Sequence, residues 1–170
     1  MDSVKEMLRG FQTVGKAHIK SFDIFTDENG RKVQFEKEPT LPTRNDSASA
    51  GYDFYVTKDV QLLPKHSETI WTDVKAYMQP NEVLKTYIRS SLAIKHGLVL
   101  TNGTGIIDSS YYGNESNDGN IGISITNTSG KTYVIKAGER IAQGIFVEYL
   151  TTDDDNVVGE RTGGIGSSGK

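Results

Sequence analysis

The last ten residues of this 170-residue chain combine backbone, hydroxyl and cationic groups that could bind phosphate. They read Arg161-Thr162-Gly163-Gly164-Ile165-Gly166-Ser167-Ser168-Gly169-Lys170. Glycine lets backbone N–H groups approach an anion closely, and the hydroxyls and cations add further donors. Taken alone, this composition is more typical of a frayed terminus. The segment becomes a candidate binding element because three further stretches that could bind phosphate lie upstream.

Arg89-Ser90-Ser91 is one such stretch, at the end of a predicted strand and the start of a short predicted helix. A helix N-terminus presents free N–H groups and the positive end of the helix dipole to an anion. The guanidinium and the two hydroxyls would strengthen phosphate binding. Ser90 or Ser91 is expected to cap the helix over 91–96, and Gly97 is expected to end it. An ordinary N-cap beside a surface arginine is the commoner meaning of this tripeptide.

Two polar side chains in predicted strands could complete such a site. Asp53, within Ala50-Gly51-Tyr52-Asp53-Phe54, could bind Mg²⁺ directly or through water, because Mg²⁺ prefers oxygen ligands. Gln143 enters a predicted buried strand and could direct its amide at a phosphate oxygen. The alternatives are an aspartate that faces solvent and an exposed strand glutamine, and both are common.

The stretch from Asn102 to Gly113 is predicted to form a hairpin that carries three further candidates. The Asn102 amide offers a donor and an acceptor, as does the edge of a pyrimidine. Asp108 follows two apolar residues and could lie in a cleft beside a water molecule that it deprotonates. Tyr111 could pack flat against a sugar. A plain hairpin with a capping asparagine and an aromatic cross-strand contact stays open as the alternative.

Short strands separated by turns dominate the rest of the chain. Alternating patterns predict strands over 52–56, 59–63, 68–78, 83–89, 97–101, 105–107, 120–126, 131–135 and 140–149. A further hairpin pairs 18–25 with 31–36 around Asn29-Gly30, and residues 2–9 have the spacing of one or two helical turns. Strands this close together favour an all-β sandwich or barrel that contains one short helix.

The composition argues against several other classes of protein. The chain has no cysteine, and its histidines (His18, His66 and His96) are far apart, so neither disulfides nor a zinc site is expected. A net charge of −3 argues against a nucleic-acid partner, although a few local cations would suffice for a small anionic ligand. We find neither a membrane-spanning apolar run nor a signal peptide, and we expect a cytoplasmic protein with no membrane partner.

Taken together, the stretches resemble the five motifs of the trimeric dUTPase family, in the same order along the chain. The motifs correspond to residues 50–53, 89–97, 102–113, 138–143 and 161–169. The third contains the specific pattern Gly-x-Ile-Asp-Ser-x-Tyr-x-Gly, whereas each of the others is weak alone. Five motifs in this order and at sensible separations make the resemblance strong.

This resemblance implies an all-β jelly roll or distorted β-barrel, a homotrimer with C-terminal arms exchanged between subunits, and hydrolysis of dUTP to dUMP and pyrophosphate. One subunit would supply the first, second and fourth motifs to each active site, another the third, and the last its arm. Asp108 would be the general base that activates water for attack on the α-phosphorus. Tyr111 would lie beneath the deoxyribose, and Asn102 would bind uracil together with the hairpin backbone at Gly105 and Ile107.

The same resemblance assigns the remaining groups. Asp53 would contact Mg²⁺, the implied cofactor, through water. The groups that bind phosphate or close over the nucleotide would be Arg89, Ser90, Ser91, Gln143, Arg161, Ile165, Gly166, Ser167 and Ser168. Ile165 stands where many family members have an aromatic residue that stacks on uracil, so apolar cover is kept without π-stacking.

The chain is expected to divide into an N-terminal extension over 1–17, a β domain over 18–150, and a linker with a glycine- and serine-rich arm over 151–170. Two other functions stay open. A dCTP deaminase of the same fold would need a catalytic glutamate on the strand after the third motif, and residues 120–125 contain no acid. A nucleotide-responsive regulatory protein would present 1–17 or the excursion near 114–120 to a protein partner.

Overall fold

The computed structural model describes residues 6–159, with the side chains of that range except those of 23–25 and 33–36. Within this range the chain forms fourteen strands, the helix α1 (Ser90–His96), and single 3-10 turns at Lys16–His18 and Ser109–Tyr111. The strands are β1 (Gly10–Thr13), β2 (Phe22–Thr26), β3 (Lys32–Glu36), β4 (Thr43–Arg44), β5 (Tyr52–Tyr55), β6 (Val60–Leu62), β7 (Ser67–Trp71), β8 (Val74–Tyr77), β9 (Glu82–Ile88), β10 (Leu98–Leu100), β11 (Gly105–Asp108), β12 (Gly122–Asn127), β13 (Tyr133–Ile135) and β14 (Arg140–Glu148).

Two antiparallel sheets carry most of the core. The larger sheet has the strand order β11-β9-β14-β5-β4, and the smaller has the order β10-β12-β7. The remaining strands pair as β1-β8, β13-β6 and β2-β3. Many neighbours are far apart in sequence, as in a jelly roll, and no sheet of the described residues closes into a barrel. The prediction of an all-β, jelly-roll-like fold with one short helix is confirmed.

Apolar side chains from both sheets pack into one core. In β12, Ile123 and Ile125 are at most 2% exposed, while Ser124 and Thr126 alternate with them on the outer face. Phe54, Leu84 and Ile141 supply the core side chains of the larger sheet. The opposite face of the larger sheet is left to carry the polar residues of the predicted motifs.

Most predicted strands lie close to observed ones, but several details are wrong. The strand expected over 68–78 is interrupted at Asp73, whose φ of 57° separates β7 from β8. Residues 6–9, the described part of the predicted N-terminal helix, are not helical, and β1 follows them. The first hairpin begins at Phe22 rather than at residue 18, because a 3-10 turn precedes it.

The ends of the described range differ in how they attach to the fold. Residues 10–13 form β1 and pair with β8, so part of the predicted N-terminal extension takes part in the hydrogen bonding of the β domain. Residues 151–159 are exposed and carry neither strand nor helix. The helical segments within 6–159 fall well short of the length needed to cross a membrane.

Candidate active site

The start of α1 brings Arg89 and Ser90 to the edge of the larger sheet. Arg89 occupies the N-cap position directly after β9 and makes no side-chain capping hydrogen bond, while Ser90 is the first helical residue. The prediction that a serine caps this helix is therefore wrong. Gly97 ends the helix with a φ of 65°, as predicted, because glycine adopts this left-handed conformation without steric cost.

A depression beside α1, the α1 pocket, gathers residues of the first, second and fourth predicted motifs. It has a volume of about 430 Å³ and is lined by Asn45, Ser49, Ala50, Gly51, Asp53, Arg89, Ser90, Gln143 and Ile145. A Cβ on Gly51 would lie 3.1 Å from the Gln143 Cβ and collide with its amide, so glycine lets the two strands meet here. Asn45 and Ser49 were not predicted as site residues, because the sequence of a polar loop does not indicate where the loop packs in the fold.

Asp53 of the α1 pocket is paired with two arginines, Arg89 of the same pocket and Arg140 of the neighbouring depression. Its Oδ2 accepts a hydrogen bond from Arg140 Nη1 at 3.0 Å, and its Oδ1 lies 3.4 Å from Arg89 Nε. At 7% exposure Asp53 does not face solvent, and the arginines compensate its buried charge. Arg140 was not predicted as a site residue, although a cation three residues before Gln143 was the available signal.

The charges of the α1 pocket favour a polyanion. One carboxylate faces two guanidiniums, and phosphate oxygens suit the remaining donors. Among residues 6–159, no three His, Asp or Glu side chains come together in a way that could hold a metal ion. The donor set therefore fits Mg²⁺ only as one carboxylate beside a metal–phosphate complex, which is the usual arrangement for Mg²⁺ in nucleotide sites.

The predicted uracil-binding residues line a separate depression, the hairpin groove, of about 370 Å³. Asn102, Gly105 and Ile107 meet there with Thr86 of β9 and with outer residues of the smaller sheet. A Cβ on Gly105 would collide with the Thr86 hydroxyl, so the hairpin can approach β9 only with glycine at this position. The α1 pocket and the hairpin groove share no lining residue.

The two remaining candidates of the hairpin differ in burial. Asp108 ends β11 and is exposed, whereas Tyr111 is 4% exposed. The Tyr111 hydroxyl donates a hydrogen bond to the Asn120 carbonyl at 2.8 Å and accepts one from Asn117 Nδ2 at 2.7 Å. The position of this ring is thus fixed by its own chain, and only a small part of the ring is open to a sugar.

Asp108 and Asp53 lie on the same face of the larger sheet but far apart. Asp108 is registered opposite Val83, while Asp53 is opposite Gln143, which is itself opposite Tyr87. The two aspartates are separated by three interstrand steps and by the four residues from 83 to 87 along the strands. At about 4.8 Å per step and about 3.4 Å per residue, this is about 20 Å. A triphosphate group is shorter than that separation, so it cannot contact Asp108 and Asp53 of one chain at the same time.

The other predicted site residues lie elsewhere. Ser91 lines a neighbouring depression with Tyr55, Arg140 and Tyr133, where burial raises the pKa of Tyr133. The predicted arm residues fall outside the described residues, and these are Arg161, Ile165, Gly166, Ser167 and Ser168.

A jelly-roll-like β protein with an arginine in the lining of its pocket is suited to a ligand that carries phosphate. The dUTPase family model matches residues 37–169. A deoxyuridine 5'-triphosphate nucleotidohydrolase of Lactococcus lactis subsp. lactis is 39% identical over 153 residues, which cover 89% of this chain and 98% of that relative. The chain therefore belongs to the dUTPase family, and the prediction that it is an enzyme of this family is confirmed.

Solved structures agree with this assignment. The dUTPase from Streptococcus mutans is 38% identical and superposes with a TM-score of 0.68, covering 85% of this chain and 98% of that one. A single-residue mutant of the dUTPase from phage phi11 of S. aureus is 25% identical with a TM-score of 0.59, covering 81% of this chain and 97% of that one. The phage enzyme is described with a structural Mg(II) ion.

Proposed function

We propose that this chain is a homotrimeric enzyme that hydrolyses dUTP to dUMP and pyrophosphate. Its family and the names of its relatives support the substrate. The observation that carries the shared site is the separation of Asp108 from Asp53, a residue of the α1 pocket, by about 20 Å within one chain. Two carboxylates that are this far apart in one chain can serve one nucleotide when Asp108 of one copy faces the α1 pocket of another.

In the proposed reaction, Asp108 takes a proton from a water molecule while the water oxygen attacks the α-phosphorus. The new P–O bond forms as the bond to the α,β-bridging oxygen breaks, and pyrophosphate leaves with that oxygen and the bonding electron pair. Arg89, Ser90 and Gln143 of another copy bind phosphate oxygens and compensate the developing charge. When bound, Mg²⁺ would neutralise further phosphate charge, and Asp53 is the residue that would hold it through water.

Nucleoside selection is assigned to the hairpin. Asn102 and the backbone at Gly105 and Ile107 bind uracil, and a cytosine there would leave polar groups mispaired, which discriminates strongly. Tyr111 lies beneath the deoxyribose and leaves no room for a 2′-hydroxyl. The C-terminal arm, beyond the described residues, closes over the nucleotide, with Ile165 as apolar cover.

Steady-state hydrolysis of dUTP, dCTP, dTTP and UTP, with pyrophosphate and ammonia measured separately, tests the activity. We expect pyrophosphate from dUTP with a kcat/KM at least about 100-fold above that of the other nucleotides. Ammonia released from dCTP would indicate a deaminase instead. Against that function, β12 (Gly122–Asn127) carries no acidic residue.

Subunit mixing tests the shared site. Asp108→Asn removes the proposed base, and Arg89→Ala weakens phosphate binding in the α1 pocket. Each variant alone should therefore be nearly inactive. In a one-to-one mixture, about a quarter of the sites would pair an intact α1 pocket with an intact Asp108 of another copy, and activity should return. A mixture as inactive as its components would contradict the proposal, as would full activity of a monomer.

A further inference from the structure

The N-terminal segment, residues 6–15, lies outside the residues that match the dUTPase family but contacts the surroundings of Asp108 and Tyr111. Its strand β1 is registered against β8 from Gly10 to Thr13. Phe11 packs against the core and against the rings of three neighbouring aromatic residues. The segment is therefore fixed to the β domain and can hold the residues that it contacts in place.

Its first contact lies beside Asp108. Arg9 donates two hydrogen bonds to Glu82 Oε1, from Nε at 2.9 Å and from Nη2 at 2.5 Å. Glu82 begins β9 and is 5% exposed, and the hydrogen bond from Arg9 is the main cause that lowers its pKa. The next residue, Val83, is registered opposite Asp108. The segment thus supports the end of β9 next to the proposed base.

Its second contact lies at the end of the loop that follows Tyr111, residues 112–119. Asp118 Oδ2 accepts a hydrogen bond from the Gly15 N–H at 2.7 Å, and both oxygens accept from Lys75 Nζ, at 3.0 and 2.8 Å. Burial raises the pKa of Asp118, but the bonds from Lys75 and Gly15 outweigh it, and the net shift is downward. Asp118 also has a φ of 56°, a conformation that its contacts must hold in place.

Its third contact lies at the start of the same loop. The Tyr112 hydroxyl donates to Gln12 Oε1 at 2.6 Å, and Lys75 Nζ lies 4.8 Å from the centre of the Tyr112 ring. The loop is therefore held by residues 12 and 15 at its two ends. Between them, Asn117 Nδ2 holds the Tyr111 hydroxyl at 2.7 Å, so the support reaches the ring that is proposed to meet the sugar.

We propose that residues 10–15, acting with Lys75 and Asp118, position the Tyr111 ring and so set the preference for deoxyribose over ribose. This inference rests on the proposed function. The path is short, because Asp118 follows Asn117, which binds the Tyr111 hydroxyl. Without Gly15 and Lys75 as partners, the loop relaxes, the ring moves away from the sugar, and a 2′-hydroxyl is accommodated. Asp118 is a positioning residue, since it acts through Tyr111.

Asp118→Asn tests the proposal, with Asp59→Asn as the matched control. Each aspartate accepts hydrogen bonds from one lysine ammonium and from one backbone N–H. For Asp59, the donors are Lys136 Nζ at 2.7 Å and the Ala137 N–H at 2.9 Å. In Asp118→Asn, we expect the ratio of kcat/KM for dUTP to that for UTP to fall about tenfold. In Asp59→Asn, the ratio should equal that of the wild type.

Amide hydrogen exchange over 109–119, measured on the full chain without nucleotide, gives a readout independent of activity. Exchange there should be faster in Asp118→Asn and in Lys75→Gln, and close to wild type in Lys75→Arg, which keeps the charge. If folded Asp118→Asn and Lys75→Gln match Asp59→Asn in the ratio of kcat/KM for dUTP to that for UTP, the proposal is wrong whatever their exchange rates are. If the wild type hydrolyses no dUTP, the proposed function fails, and the exchange rates alone decide whether the segment holds the loop.

Discussion

Replacing Asp53 with asparagine separates two roles of one carboxylate, namely the observed compensation of the arginines and the proposed contact with hydrated Mg²⁺. Asparagine keeps an oxygen that can accept from Arg140 but loses the negative charge. A hydrogen bond to a charged group contributes about 1.5–3 kcal/mol, while an exposed ion pair contributes at most about 1 kcal/mol. The side chains of Arg89 and Arg140 are 28% and 37% exposed, so we place the loss of folding free energy at about 1–2 kcal/mol.

The same substitution should change the response of the enzyme to Mg²⁺. A metal-bound water donates a stronger hydrogen bond to a charged carboxylate than to a neutral amide, so the substitution should raise the half-saturating Mg²⁺ concentration about 5- to 10-fold. Binding of a non-hydrolysable dUTP analogue without Mg²⁺ should not weaken. This is because the α1 pocket becomes more positive when Asp53 loses its charge while Arg89 and Arg140 keep theirs.

Chemical denaturation and Mg²⁺ titrations of kcat measure the two effects separately, and Asp59→Asn again serves as the control. Asp59 pairs with Lys136, and both side chains are more than half exposed, so little change is expected in either measurement. Unchanged stability of Asp53→Asn would refute the reasoning about the buried pair. If stability falls but the response to Mg²⁺ is unchanged, Asp53 has no role in binding Mg²⁺ and serves only as the counter-ion of the arginines.

Three further predictions follow from single side chains. Asp108→Asn should keep analogue binding and lower kcat for pyrophosphate release about 100-fold or more, and a wild-type kcat would remove this residue from the mechanism. Gly144→Ala places a Cβ 2.9 Å from core carbon atoms, so denaturation should show a loss of about 1–3 kcal/mol, whereas no loss would indicate a core with room to adjust. Because the hydrogen bond from Arg9 lowers the pKa of Glu82 from its ordinary value of 4.5, this contribution to stability is full above that pH. It is lost as the pH falls through the lowered value, so Glu82→Gln should make acid unfolding less steep, and an unchanged acid curve would contradict this.

Local patterns account for the parts of the fold that were predictable. The alternation in β12 and the glycine after α1 are each determined by neighbours in sequence, so both could be found without a structure. The break at Asp73 could not, because its backbone is held by contacts with Asn120, 47 residues away. The strand β1 was missed for a similar reason, since four residues have too little periodicity to indicate a strand.

The candidate site divides in the same way. Asp53, Arg89 and Gln143 belong to recognisable motifs, so their shared pocket could be expected. The pairing of Asp53 with Arg140 depends on the register of β5 against β14, which no single stretch of sequence encodes. The burial of Tyr111 was also unforeseen, because it depends on polar partners at 117 and 120 in an irregular loop.

The separation of base and phosphate pocket has a consequence for how substitutions combine. The α1 pocket is organised by the Asp53 pairs, whereas Asp108 is supported from β9 and the N-terminal segment, and the two networks share no described contact. Residues more than about 10 Å apart without shared partners usually contribute additively to stability. Defects in the two halves should therefore add in their effect on stability. In the proposed trimer they should complement each other in activity, since each copy would supply its intact half to a site shared with a neighbour. If a substitution in one half also impaired the function of the other half of the same chain, the sheet would have to transmit strain between the two halves.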